Sequence, residues 1–232
     1  MLAALDGAPF LRNIKFPSTD AELATQSELF SRGQRNPLRG CVSAIDGLAL
    51  RIQRPRVTDV PNPMAYWTRK DFFAINVQAA VGADFKVQFL SAVTAGSCHD
   101  STALATSGLA AVLDAAGSLP EGFWVAADDA YVAGRRVLTP WPGKNLPWDK
   151  DSFNYWHSSS RTFAEQVFGQ IIGRWGIFWR PLRFPLAVCS KILRVAVKMH
   201  NFFDGPQQPV CGGPRRRRRR VCVGGGHFAK SV

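Results

Sequence analysis

The chain has 232 residues, 46% of them hydrophobic, and a formal net charge of +12. That length suits one sizeable domain with tails, and the apolar content is that of an ordinary globular core. No run of 18 uncharged apolar residues is present, which argues against a transmembrane helix, and the start lacks the basic cluster and apolar run of a signal peptide. Six of the positive charges form one run, Arg215, Arg216, Arg217, Arg218, Arg219 and Arg220, and the rest of the chain is still basic. A basic balance points to an acidic partner, either nucleic acid or an anionic membrane surface. The five cysteines, Cys41, Cys98, Cys189, Cys211 and Cys222, are odd in number and form no CxxC. They predict free thiols in a reducing compartment. Cys211, Cys222 and His227 match no common zinc spacing.

In chain order, residues 1–40 are weakly patterned. Pro17-Ser18-Thr19-Asp20 reads as a turn into a short helix, Ala21–Phe30. This extension is expected to pack beside the core. Val42–Ile52 reads as a strand whose face carries Val42, Ala44, Asp46, Leu48, Leu50 and Ile52. Phe72–Val81 and Phe85–Val93 alternate like strands around Gly82-Ala83-Asp84, which predicts a β-hairpin. In the second of these, Phe85, Val87, Phe89 and Val93 are expected on one face. A helix follows, capped by Asp100 or Ser101, with Leu104, Gly108, Ala111, Val112 and Ala115 on one side and its end at Gly117. The apolar run Phe123–Ala127 predicts a central strand covered on both faces. A loop rich in Pro and Trp is expected to about residue 157. Ser158–Ser160 then cap a helix from Arg161 to about Phe178, and Leu186–Phe203 forms the last helix. Residues 205–232 have the composition of a disordered tail. Three strands, a helix, a strand and further helices make a mixed α/β sheet with helices on its faces.

Three acids stand at informative places. Asp46 interrupts an apolar strand face, and a buried carboxylate needs a cation, a hydrogen-bond network or a metal. Asp128 ends a central strand, where open α/β sheets place functional groups. Glu165 lies near the start of the predicted helix. If the first strand neighbours the fourth, Asp46 and Asp128 approach each other and a crossing helix adds Glu165. Three adjacent carboxylates repel, and a divalent metal with a taste for hard oxygen ligands, Mg²⁺ or Mn²⁺, resolves that repulsion. Two such ions could activate a water and stabilise the leaving oxygen of a phosphodiester. Each acid also has a simpler account. Asp46 could sit at a solvent-facing edge, Asp128 could form a turn, and Glu165 could pair with Arg161 on the same helix face.

Five stretches together resemble the Harbinger/PIF transposase-derived nucleases, a branch of the DDE superfamily related to bacterial IS5-type transposases. They are AIDGLALRIQRP (44–55), YWTRKDFFAINVQA (66–79), GSCHDS (96–101), AADDAY (126–131) and FNYWHSSSRTFAEQVFG (153–169), with HNF at 200–202 similar to the closing motif. The resemblance implies an RNase H-like domain over residues 41–204 and a metal-dependent DNA endonuclease whose acids are Asp46, Asp128 and Glu165. It departs from the family pattern at Ala130, where Gly is usual, and at Ile172, where Lys is common. It does not extend to the family's N-terminal helix-turn-helix region. The expected partners are DNA, a separate DNA-binding protein and further copies of the chain, with no membrane and a nuclear location. Arg215–Arg220 is expected to contact DNA phosphates. The alternative is a domesticated remnant that holds DNA or a protein without cutting. A different soluble enzyme finds no support, because no Gly-rich phosphate loop, nucleophile elbow or HExxH is present.

Overall fold

A computed structural model describes Gly7 and residues 14–32, 36–114 and 119–203. Helix α1 (Asp20–Arg32) carries two acids, Asp20 and Glu22, in its first turn, where the helix dipole favours negative charge. Glu22 caps it by accepting from the backbone N–H groups of Ser18 and Thr19. The strands are β1 (Cys41–Arg51), β2 (Ala74–Val81), β3 (Val87–Ala95), β4 (Trp124–Ala126) and β5 (Val137–Leu138). They form one sheet in the order β3-β2-β1-β4-β5. Strands β1, β2 and β3 run antiparallel, and β4 and β5 add in parallel beside β1. The sheet is therefore mixed, with β1 at its centre and Asp46 away from any edge. This is the arrangement expected of an RNase H-like fold.

The remaining helices are α2 (Asp100–Ala105), α3 (Gly108–Asp114), α4 (Trp148–Arg174) and α5 (Leu186–Phe203). Helix α4 packs across β1, β2 and β4, and α5 packs on β3. Their apolar residues Phe163, Val167, Ile171, Leu193 and Val197 meet Ala44, Leu50, Val77 and Ala79 in the larger core. On the other face, Leu104, Leu109 and Leu113 cover Ile45, Ala80 and Val125. All eight positions of β2 are buried, because both its faces are covered. Among the described residues, no helix is long and apolar enough to cross a membrane.

Several expected details change. Val42 packs with Ile45 rather than with Ala44. The cause is a bulge: Cys41 pairs with Trp124 but Ser43 already pairs with Val125, so one extra residue of β1 is inserted and the faces switch. Strand β3 carries two such irregularities, which send Val87 and Phe89 to opposite cores and leave Val93 exposed. The helix after Asp100 is broken at Ser107, whose Oγ donates to Leu104 O and accepts from Leu109 N. Leu109 and Leu113 therefore face the core in place of Gly108 and Ala111. The cap is His99, and Asp100 is the first helical residue. Ala115 and Gly117 lie outside the described residues, as do Arg215–Arg220 and the tail 205–232.

Helix α4 begins at Trp148, well before Arg161, and ends at Arg174; Phe178 belongs to a separate 3-10 turn, Gly176–Trp179. Pro147 opens α4 and Asp149 and Asp151 occupy its first turn. The side chain of Asn154 accepts from Trp141 N at 2.7 Å and donates to Trp141 O at 3.0 Å, which ties the preceding loop to the helix. That loop also contains β5, a two-residue edge strand that the Pro- and Trp-rich composition conceals.

Candidate active site

Parallel pairing of β1 and β4 sets the first two acids. Ala44 is opposite Ala126 and both side chains enter the larger core. Two residues further along each chain come Asp46, still within β1, and Asp128, just past the end of β4. Asp46 closes on itself locally, its Oδ1 accepting from Gly47 N at 2.8 Å. Asp128 caps the turn after β4, its Oδ1 accepting from Ala130 N at 3.0 Å. Helix α4 crosses this face and supplies Arg161 and Glu165 one turn apart. The Arg161 guanidinium lies 4.0 Å from Asp128 Oδ2 and 3.7 Å from Glu165 Oε1. The simple accounts of Asp128 as a turn former and of Glu165 as an Arg161 partner both describe real contacts. Neither separates those acids from the site, because one guanidinium faces both.

Electrostatics single out Asp46. Burial raises its pKa to about 6, against the opposing pull of Gly47 N–H and Arg161, and Asp128 and Glu165 push it further up. Asp46 therefore feels the field of both other acids. Asp128 is a quarter exposed, whereas Glu165 is 60% exposed and has room to change rotamer. The Arg161 Nε is buried with no hydrogen-bond partner. Asp129 is exposed and has no ion pair among the described residues.

A second polar group lies behind β1. Tyr131 OH donates to Gln78 Oε1 at 2.7 Å. Gln78 Nε2 donates to Asn76 Oδ1 at 2.7 Å and to Asp100 Oδ1 at 3.0 Å. Asn76 Nδ2 donates to the same Asp100 oxygen at 2.9 Å and to Cys98 O. Gly47 makes room for this arrangement, since a Cβ there would stand 2.6 Å from Asp100 Oδ1. The strand alternation of β2 assigns Asn76 and Gln78 to the face opposite Ile75 and Val77 but gives no hint that they are joined. Two amides spaced by two in an otherwise apolar strand were the available signal.

The three acids offer oxygen donors alone, a set suited to a hard divalent cation. The raised pKa of Asp46 comes first from burial, with the Asp128 and Glu165 charges adding to it, and a divalent ion would offset both. In the structure as it stands, no three His, Cys, Asp or Glu side chains among the described residues are gathered closely enough to hold one. Arg161 supplies the cation between Asp128 and Glu165 instead.

Residues 45–201 match the model of a family described as DDE superfamily endonuclease. The chain belongs to that family. No curated protein and no solved structure matches it. Within this DDE superfamily endonuclease, the two departures at Ala130 and Ile172 are structurally unstrained. Ala130 is not among the residues with positive φ, so no glycine is needed there. Ile172 packs against the larger core. Of the HNF residues, the buried His200 and Asn201 serve the fold, whereas Phe202 is exposed. His200 Nε2 lies 2.9 Å from Phe85 O, and the Asn201 amide accepts from Val87 N at 2.9 Å and donates to Val87 O at 2.7 Å. They fasten α5 to Phe85 in the β2–β3 turn and to Val87 at the start of β3.

Proposed function

We propose that this DDE superfamily endonuclease cleaves DNA phosphodiester bonds with Asp46, Asp128 and Glu165 as the ligands of divalent metal, Mg²⁺ or Mn²⁺, in the manner of Harbinger-type enzymes. The observation that carries this is the single Arg161 guanidinium standing 4.0 Å from Asp128 Oδ2 and 3.7 Å from Glu165 Oε1, beside a half-buried Asp46 on which all three charges act. A bound divalent ion would supply charge neutralisation and polarisation of the phosphate and the attacking water. Hydrolysis then exchanges one P–O ester bond for a bond to water oxygen, and the departing alcohol takes up a proton. Asp46, in β1, and Asp128, in the turn that follows β4, set the position of the site. Glu165, more exposed and on a helix, completes it by turning toward them. Arg161 is then released from two carboxylates and is free to face the phosphate.

Nicking of supercoiled plasmid with Mg²⁺, Mn²⁺ or EDTA tests the proposal. Asp46→Asn, Asp128→Asn and Glu165→Gln are each expected to lose more than the roughly 10–100-fold that disturbance of an outer-shell partner costs. Asp129→Asn is expected to retain activity. Loss of activity in Asp129→Asn alone would move the assignment from Asp128 to its neighbour. A second reading, a remnant that binds without cutting, draws support from Arg161 standing between two of the acids. Plasmid retained by the protein but never nicked, with either metal, would favour it.

A further inference from the structure

Among the described residues four buried side-chain polar atoms lack a hydrogen-bond partner, and two of them stand on α4, one helical turn apart. They are His157 Nδ1 and Arg161 Nε, and each has what the other needs. His157 is fully buried, and its ring stacks with Phe153 at 5.4 Å and with Trp124 at 6.2 Å between centroids. Its Nε2 lies 2.8 Å from Leu138 O. A carbonyl only accepts, so Nε2 carries the proton and Nδ1 is left with a lone pair. Burial lowers the pKa of the imidazole, the Leu138 carbonyl opposes this, and the Arg161 charge lowers it further, so the ring is neutral at physiological pH. Arg161 Nε–H is a donor only. Helical side chains lean back toward the N-terminus, so the Arg161 stem runs over the turn that carries His157, and Glu165 leans toward Arg161 in the same way. The far end of the guanidinium is held loosely. It lies 4.0 Å from Asp128 Oδ2 and 3.7 Å from Glu165 Oε1, both longer than a hydrogen bond. A small torsional change therefore seats Nε on the imidazole without breaking a strong contact.

We propose that His157 is a positioning residue, its Nδ1 accepting the Arg161 Nε–H and so fixing which way the guanidinium faces. A buried donor and a buried acceptor are each costly to leave unmet, and this one bond satisfies both. With Nε anchored, the terminal nitrogens of Arg161 remain for the carboxylates of Asp128 and Glu165. His157 is itself locked by Trp124, Phe153 and Leu138, so β4 and β5 set the direction of Arg161 through it. The link stands on contacts within the chain; its consequence for cutting rests on the nuclease reading above.

Two amide substitutions separate the imidazole nitrogens, because an Asn oxygen stands near the place of Nδ1 and a Gln amide nitrogen near that of Nε2. His157→Gln keeps a donor for Leu138 O and loses the acceptor for Arg161, and His157→Asn does the reverse. Both are made in the full chain. The Arg161 Nε–H signal, assigned by its absence in Arg161→Lys, is followed by heteronuclear NMR. In the natural protein its exchange with water is expected to be slower than that of the exposed Arg54 by about tenfold or more. His157→Gln is expected to remove that protection and His157→Asn to keep it. Plasmid nicking is expected to fall in His157→Gln by the roughly 10–100-fold of a lost outer-shell contact, with His157→Asn between it and the natural protein. Any other pattern of protection, whether absent from the natural protein, equal in all three or lost in His157→Asn, overturns the link, whatever the plasmid assay shows. Protection lost in His157→Gln with nicking unchanged overturns the positioning role. Protection lost in His157→Gln alone, in a natural protein that nicks with neither Mg²⁺ nor Mn²⁺, upholds the link and removes the nuclease reading instead.

Discussion

Asp46 is a carboxylate held where charge is disfavoured, and that has a measurable thermodynamic consequence. Its folded pKa, about 6, stands above the ordinary 3.8. Between those values the folded state binds more protons than the unfolded chain, so the stability gradient with pH is negative. The contribution is full below about 4 and is lost as pH rises through 6, by up to about 3 kcal/mol at 1.36 kcal/mol per pKa unit. Urea unfolding from pH 4 to 7 is expected to show this decline in the metal-free protein, with Asp46→Asn flattening it. An equal decline in Asp46→Asn would assign it to another group. Mn²⁺ at pH 7 is expected to raise the melting temperature of the natural protein and to leave Asp46→Asn nearly unmoved. The oddness of Asp46 was legible from the sequence, since one acid in six same-face positions is plain to see. Arg161 was legible only as the helical neighbour of Glu165. Its approach to Asp128 joins positions 33 residues apart and depends on where α4 crosses β4, which no local pattern encodes.

At the scale of elements, what failed to read from sequence failed for local physical reasons. Strand bulges in β1 and β3 reverse the inside–outside order after a single inserted residue, and alternation alone cannot locate the insertion. The first half of α4 carries the exposed Trp148 and Tyr155, so its apolar period is poor until the core begins near His157. His157 marks that entry. It is fully buried, its Nε2 lies 2.8 Å from Leu138 O, and burial lowers its pKa. The hairpin of β2 and β3 and the parallel neighbourhood of β1 and β4, by contrast, agree with the alternation and the short apolar run read from the sequence. The amide network on β2 ties these elements together and is open to a direct test. Tyr131→Phe strips the donor from Gln78 Oε1 within a buried set. It is expected to cost about 1–3 kcal/mol, the penalty of an unsatisfied buried polar group. Urea denaturation checks this, with Val132→Ala at the exposed neighbouring position as the near-neutral comparison. A Tyr131→Phe variant as stable as the natural protein would mean that the Gln78 oxygen finds another donor.

For the whole molecule, the dominant property is its charge of +12, half of it in Arg215–Arg220. Such charge acts on the phosphate backbone, which every DNA sequence shares, and binding driven by it is steeply salt-dependent. Deleting residues 205–232 is expected to flatten the salt slope by up to about five units, at ~0.9 per phosphate neutralised. Choosing a sequence is a separate task. It needs side chains held against base edges, most often from a helix lying in the major groove. Helices α4 and α5 bury their apolar faces against the sheet, and α2 and α3 are one or two turns long and cover the opposite face. The exposed cations Arg69 and Lys70 stand on a turn rather than on a helix that could enter a groove. The purified chain is therefore expected to bind unrelated duplexes with affinities within about tenfold of one another, against the 10³ or more typical of specific binders. Selection from a random duplex library checks this. A motif enriched reproducibly by the chain alone would show that one of its exposed segments enters a groove and reads bases.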